Sequence, residues 1–145
     1  MSDKITVSVV NSGPNPLPGY ATMGSSGVDL MSAEDVIIEP GETKMIRTGL
    51  AVSIPDGWEI QIRSRSGLAL KKQVTVYNSP GTVDSDYIGP MNVILHNGGS
   101  DDFIIRAGDR IAQAVLSPVC KINWNLVDVL NETERGTGGF GHTGV

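Results

Sequence analysis

The stretch PDGWEIQIRSRSGLALKK, residues 55–72, decides the fold class. It opens on a Pro-Asp-Gly turn signal. Trp58, Ile60 and Ile62 then alternate with Glu59, Gln61 and Arg63. That period of two belongs to a half-buried antiparallel strand, with one face on a core and one in water. At Ser66 the pattern changes. SGLALKK, residues 66–72, is the one segment with helical character, and it is short. Ser66 is placed to act as its N-cap, with Gly67 just inside.

The same alternation returns on both sides. Ile5, Val7 and Val9 alternate with Thr6 and Ser8, and Met91, Val93 and Leu95 alternate with Asn92, Ile94 and His96. The turn signals EPGE, SPG, NGG and AGD punctuate the chain. Many short strands with Gly/Pro turns predict an all-β fold: a sandwich, jelly roll or barrel. NSGPNPLPGY, residues 11–20, is too rich in proline for a strand interior and is expected as an extended loop. A length of 145 residues fits one domain.

Composition narrows the function. Hydrophobic residues make up 39% of the chain, enough for a modest core. The formal charge of −5 argues against nucleic-acid binding by bulk charge. A polyanion can still be held where Arg63, Arg65, Arg106, Arg110 and Arg135 converge. Cys120 is the sole cysteine, so no disulfide framework or cysteine-based metal site is expected; it reads as a small buried hydrophobe. MSDKITVSVV lacks a signal-peptide plan, and no apolar run approaches the length of a membrane span. These features predict a soluble cytoplasmic protein with no membrane partner.

Several stretches carry chemistry. In RSRSGLA, residues 63–69, a guanidinium, a hydroxyl and the N–H groups of a helix start make an anion site; a capped helix with surface arginines is the plainer alternative. YNSPGTVDSDYIGP, residues 77–90, sets Asp84 and Asp86 two apart. In an extended segment the pair would point the same way, to serve as base, metal ligand or mere solubilising charge. Tyr87 offers an aromatic face to a sugar or base. Asp29 follows the glycines of GSSGVDL, and Arg110 and Gln113 interrupt the apolar run of GDRIAQAVL. The last stretch, RGTGGFGHTGV, contains G-x-x-x-x-G-H-T, one letter from a phosphate-cradling loop, with His142 in place of lysine. No strand-to-helix context surrounds it. A loose glycine-rich terminus is the bland alternative, although Arg135 and Phe140 are not linker residues.

In order, GVDLMSA (27–33), RSGLALK (65–71), NSPGTVDSDYIG (78–89), GDRIAQAVLSPV (108–119) and RGTGGFGHTG (135–144) resemble the five motifs of the trimeric dUTPase family. The resemblance implies a jelly-roll-like β-barrel with one short α-helix at 1–134 and a flexible glycine-rich C-terminal arm at 135–145. It implies hydrolysis of dUTP to dUMP and pyrophosphate with Mg²⁺, and a homotrimer whose active sites are shared among subunits. By the same resemblance Asp84 is the catalytic base, with Gln113 near the phosphates and the attacking water. Arg65, Ser66 and Gly67 bind phosphate. Asn78 and the turn through Gly81 and Val83 form the uracil pocket, and Tyr87 packs on the deoxyribose. Arg135, Phe140, Gly141 and Thr143 close over the nucleotide, and Asp29 holds the metal through its waters. Ser64, Ile88, Pro90 and His142 depart from the usual motif residues. A dCTP deaminase of the same fold would need a glutamate that SDYIGPMNV does not supply. A regulatory binding protein on the same scaffold is the alternative from a different class.

Overall fold

The computed structural model describes residues 3–144, so the first residues of the expected barrel and the last of the expected arm fall outside the described residues. The strands are β1 (Ser8–Asn11), β2 (Val28–Met31), β3 (Val36–Ile38), β4 (Thr43–Ile46), β5 (Leu50–Ser53) and β6 (Trp58–Arg63). After the helix α1 (Ser66–Lys72) come β7 (Val74–Val76), β8 (Gly81–Val83), β9 (Val93–Asn97), β10 (Phe103–Ile105) and β11 (Arg110–Pro118). All pairings between them are antiparallel.

Two sheets carry the architecture. One has the order β2-β11-β6-β8 and the other β4-β9-β7, with β1-β5 and β10-β3 as separate pairs. The inward faces follow from the alternation. Leu30, Ile60, Ile62, Val83, Ala112 and Ala114 of the larger sheet share one core with Ile46, Val74, Val76, Val93 and Leu95 of the smaller. Each large side chain among them contributes about 1.5–3 kcal/mol on burial, which fixes strand register because a one-residue slip would expose the whole set. The fold is all-β and jelly-roll-like. The sheets remain open, so the described strands form layered sheets and not one closed barrel.

Local expectations fare unevenly. The strand expected around Ile5–Val9 forms at Ser8–Asn11, where backbone pairing with β5 sets its limits and all four residues are exposed. Ser66 is the first helical residue of α1; the N-cap is Arg65, which makes no side-chain cap, so the helix start is uncapped. Cys120 is exposed and not buried, because the chain leaves the body once β11 ends at Pro118. Past that point residues 120–137 are exposed throughout, including Trp124, Leu126 and Leu130. No described helix is long and apolar enough to cross a membrane.

One polar tie stiffens the body. Glu34 Oε2 accepts the backbone N–H of Arg47 at 2.9 Å and its Nε at 2.8 Å. The backbone bond first, then the guanidinium, hold this carboxyl below the usual glutamate range against the opposing effect of burial.

Candidate active site

The site begins at the end of β8. Gly81 pairs with Ile62 and Val83 with Ile60, and both are buried against β6. A side chain at Gly81 would place its Cβ 3.2 Å from Ile62 Cβ and 3.4 Å from Asn78 Nδ2. The glycine therefore lets the backbone lie against the Asn78 amide. Asp84, exposed, is the first residue beyond the strand. The chain then turns, with Tyr87 N–H donating to the Asp84 carbonyl at 3.1 Å.

That turn separates the two acids. Asp84 lines a cavity of about 270 Å³ together with Asn78, Gly81, Val83 and Tyr87, and Asp86 does not. The extended geometry that would aim both carboxylates the same way is absent. Tyr87 is braced on two sides. Its hydroxyl donates to the Pro90 carbonyl at 2.7 Å. A Cβ added to Gly89 would lie 2.7 Å from the same hydroxyl oxygen, so the Gly89 backbone sits directly against the ring. Pro90 is in turn bridged to Ala51, and Met91 N–H donates to the Leu50 carbonyl at 2.7 Å.

A second group lies on the larger sheet. Gln113 on β11 stands opposite Asp29 of β2 on one side and Arg63 of β6 on the other. Asp29 faces Arg65 Nε at 3.4 Å and Arg110 Nη1 at 3.7 Å, and Arg65 Nη1 also donates to the Arg110 carbonyl at 3.1 Å. Asp29 Oδ1 is enclosed yet accepts no hydrogen bond. Ser66 and Gly67 stand exposed at the uncapped start of α1.

A third group, the arm, keeps to itself. Arg135 Nε donates to the Gly138 carbonyl at 2.7 Å, and His142 N–H to the Gly139 carbonyl at 3.1 Å. Phe140 is fully exposed at a positive φ of 52°, next to Gly141 at 86°. Arg135, Gly141 and Thr143 border an open hollow made of residues 133–143 only, apart from the cavity at Asp84.

The pattern of these groups matches a known family. The dUTPase family model covers residues 14–144. The chain belongs to the dUTPase family. It is 52% identical to the deoxyuridine 5'-triphosphate nucleotidohydrolase of Ehrlichia canis over 145 residues, covering 97% of this chain and 95% of that protein. Among solved structures it is similar to the dUTPase of Staphylococcus bacteriophage 80alpha with dUPNHPP, at 27% identity and a TM-score of 0.88, covering 98% of this chain and 100% of that one. It is also similar to a mutant dUTPase from phage phi11 of S. aureus, described for its coordination of a structural Mg(II) ion, at 25% identity and a TM-score of 0.78 over 86% of this chain and 98% of that one.

Among the residues singled out from the dUTPase motifs, one chain gathers Asn78, Gly81, Val83, Asp84 and Tyr87 into a single cavity. Asp29, Arg65 and Gln113 lie on neighbouring strands or at their ends, outside that lining, and the arm residues Arg135, Phe140, Gly141 and Thr143 join neither group. Sequence reasoning missed the far wall of the cavity, made by Met45, Asn92 and Ile94. Met45 and Ile94 are partners in the β4-β9 register, and no local signal marks that pairing. Magnesium suits this dUTPase-family site only in one form. No group of three or more His, Cys, Asp or Glu is placed to hold a metal among the described residues. An ion that arrives on ligand oxygens with its own waters needs no such cluster, and Asp29, whose Oδ1 lies 3.4 Å from Arg65 Nε without accepting a hydrogen bond, is the carboxylate of the second group.

Proposed function

We propose that this chain hydrolyses dUTP to dUMP and pyrophosphate with Mg²⁺, as a homotrimer with shared active sites, so limiting uracil in DNA and supplying dUMP in the cytoplasm. The observation that carries this is the cavity joining Asp84 to Asn78, Gly81, Val83 and Tyr87 in a chain of the dUTPase family.

Asp84 orients a water and takes its proton as the water oxygen bonds to the α-phosphorus. The bond from that phosphorus to the bridging oxygen breaks, and pyrophosphate leaves. A carboxylate is a weak base, so placement of the water matters more than basicity. Gln113 stands near the same water and the phosphates. Asn78 and the backbone at Gly81 and Val83 pair with the uracil edge; cytosine would present the wrong donors and acceptors, and a tight pocket excludes the thymine methyl. Tyr87 leaves no room for a 2′-hydroxyl, so UTP is rejected by clash. Arg65, Ser66 and Gly67 hold phosphate oxygens, and Asp29 holds the metal's waters. Mg²⁺, when bound, would supply polarisation of the phosphoryl oxygens.

The arm is supplied to a neighbouring site. In its own chain it stays apart from the cavity, which supports sharing between subunits. There Phe140 stacks on uracil while Arg135, Gly141 and Thr143 reach the terminal phosphates. Ordering a residue costs about 1–2 kcal/mol, more for glycine, and the whole arm roughly ten kcal/mol or more. Only a ligand with both a stacking face and several anionic oxygens offsets that. Asp84 is the one acid lining the cavity, which leaves a dCTP deaminase without its glutamate.

The test is a panel of dUTP, UTP, dTTP, dCTP and dATP with and without Mg²⁺, with product detection. Rapid release of pyrophosphate from dUTP alone is expected. Ammonia from dCTP, or no turnover of dUTP, would overturn the proposal.

A further inference from the structure

Ser64 stands between the two arginines of RSRSG, half-buried, and the proposed chemistry gives it no part. Its contact reaches past α1 to β7. β7 bonds β9 on one edge only, since it is the last strand of its sheet. Tyr77 N–H donates to the Ile94 carbonyl at 2.9 Å, and Thr75 stands opposite His96. Polar groups along a strand alternate in direction, so the N–H and carbonyl of Val76 point to the open edge. Such groups need partners from elsewhere.

Both partners are hydroxyls, and they come from different parts of the site. Ser64 Oγ accepts the Val76 N–H at 2.8 Å. Ser79 Oγ donates to the Val76 carbonyl. Ser64 directly precedes Arg65, Ser66 and Gly67, and Ser79 directly follows Asn78. Val76 is itself a fixed point, buried in the core with 2% exposure. One core residue therefore bolts the loop bearing the phosphate-binding groups to the turn bearing the base-binding groups. The bolt also joins the two sheets, because β6 and β7 belong to different ones.

We propose that Ser64 is a positioning residue that sets the spacing between the phosphate loop and the uracil pocket. This rests on the dUTP reading of the site and deepens it. Two subsites reinforce each other on one ligand only when their separation is held; a loose spacing forfeits that advantage while leaving each subsite intact. Alanine at 64 removes the acceptor from a part-buried N–H. Threonine keeps it.

The experiment compares wild type, Ser64→Ala and Ser64→Thr for binding of deoxyuridine, which fills the base side alone, and of the non-hydrolysable analogue α,β-imido-dUTP, which spans both. Ser64→Ala is expected to bind the analogue about tenfold more weakly, the effect of one lost hydrogen bond. Its affinity for deoxyuridine should stay unchanged, and Ser64→Thr should restore the analogue. Equal analogue binding by Ser64→Ala and wild type would overturn the proposal, as would equal loss of both ligands. Hydrogen exchange in the wild-type chain gives a check that needs no variant: Val76 N–H must be protected despite its edge position, and rapid exchange would overturn the bond itself. Failure of wild type to bind the analogue would strike at the dUTP reading instead, with Val76 protection still reporting on Ser64.

Discussion

The turn from Asn78 to Pro90 and the arm from Arg135 to Thr143 are both surface segments rich in glycine and polar residues, yet they differ in what holds them. The turn is anchored at every few residues: Gly81 and Val83 pack on β6, Tyr87 is tied to Pro90, and Pro90 is bridged to β5. The arm's bonds stay within residues 133–144, and no part of the body covers Phe140. One half of the proposed site is thus built by folding, and the other half has no contact with the body at Phe140 and, in the function proposed above, takes its contacts from a ligand and a neighbouring copy. In that reading, preorganisation and closure are divided between two segments of one chain.

The comparison can be broken most severely at the built half. Asp84→Asn should lower turnover of dUTP by about 10²–10⁴-fold. Calorimetric binding of the non-hydrolysable analogue should persist, because the amide keeps the shape of the carboxylate. Loss of binding in parallel with turnover would mean that Asp84 shapes the cavity and does not act on water. The unbuilt half is addressed by ending the chain after Glu134. Turnover should drop by roughly 10²-fold from lost positioning, while the thermal midpoint stays close to that of wild type. A large fall in that midpoint would show the arm to be part of the folded body. The smallest effect belongs to the body alone. Glu34→Gln should cost at most about 1 kcal/mol at neutral pH, as expected of a partly exposed pair. The glutamate's depressed carboxyl titration contributes stability above the ordinary carboxylate range and loses it as pH falls through the folded value. The gap between the two proteins, followed by denaturant melts, should therefore close in acid. Arm proteolysis should be the same in both.

Legibility in the sequence follows the same division. Strands β6 and β9 can be read directly, because Ile60, Ile62, Val93 and Leu95 face a core and their alternation records it. β1 misleads, since all four of its residues are exposed and its extent is set by backbone bonds that leave no trace in side-chain pattern. Asp84 and Asp86 look equivalent along the chain, and only the bend at Tyr87 sends one to the cavity. Cys120 reads as an interior residue because small apolar residues are usually there; its exposure depends on where β11 stops. The first, second and fourth motifs are legible as motifs but not as neighbours. Their meeting at Asp29, Arg65 and Gln113 comes from the order β2-β11-β6, a long-range pairing that local sequence does not encode.

In the proposed function, the bracing of Tyr87 bears on fidelity at raised temperature. A ring free to swing would give way to a ribonucleotide as thermal motion grew, and errors would climb long before the protein melted. This ring cannot swing unless Gly89 and Pro90 shift, and Pro90 cannot shift without parting from Ala51. If Tyr87 excludes the ribonucleotide as proposed, sugar choice is thereby tied to the β5 edge that holds Pro90, and the two should fail together.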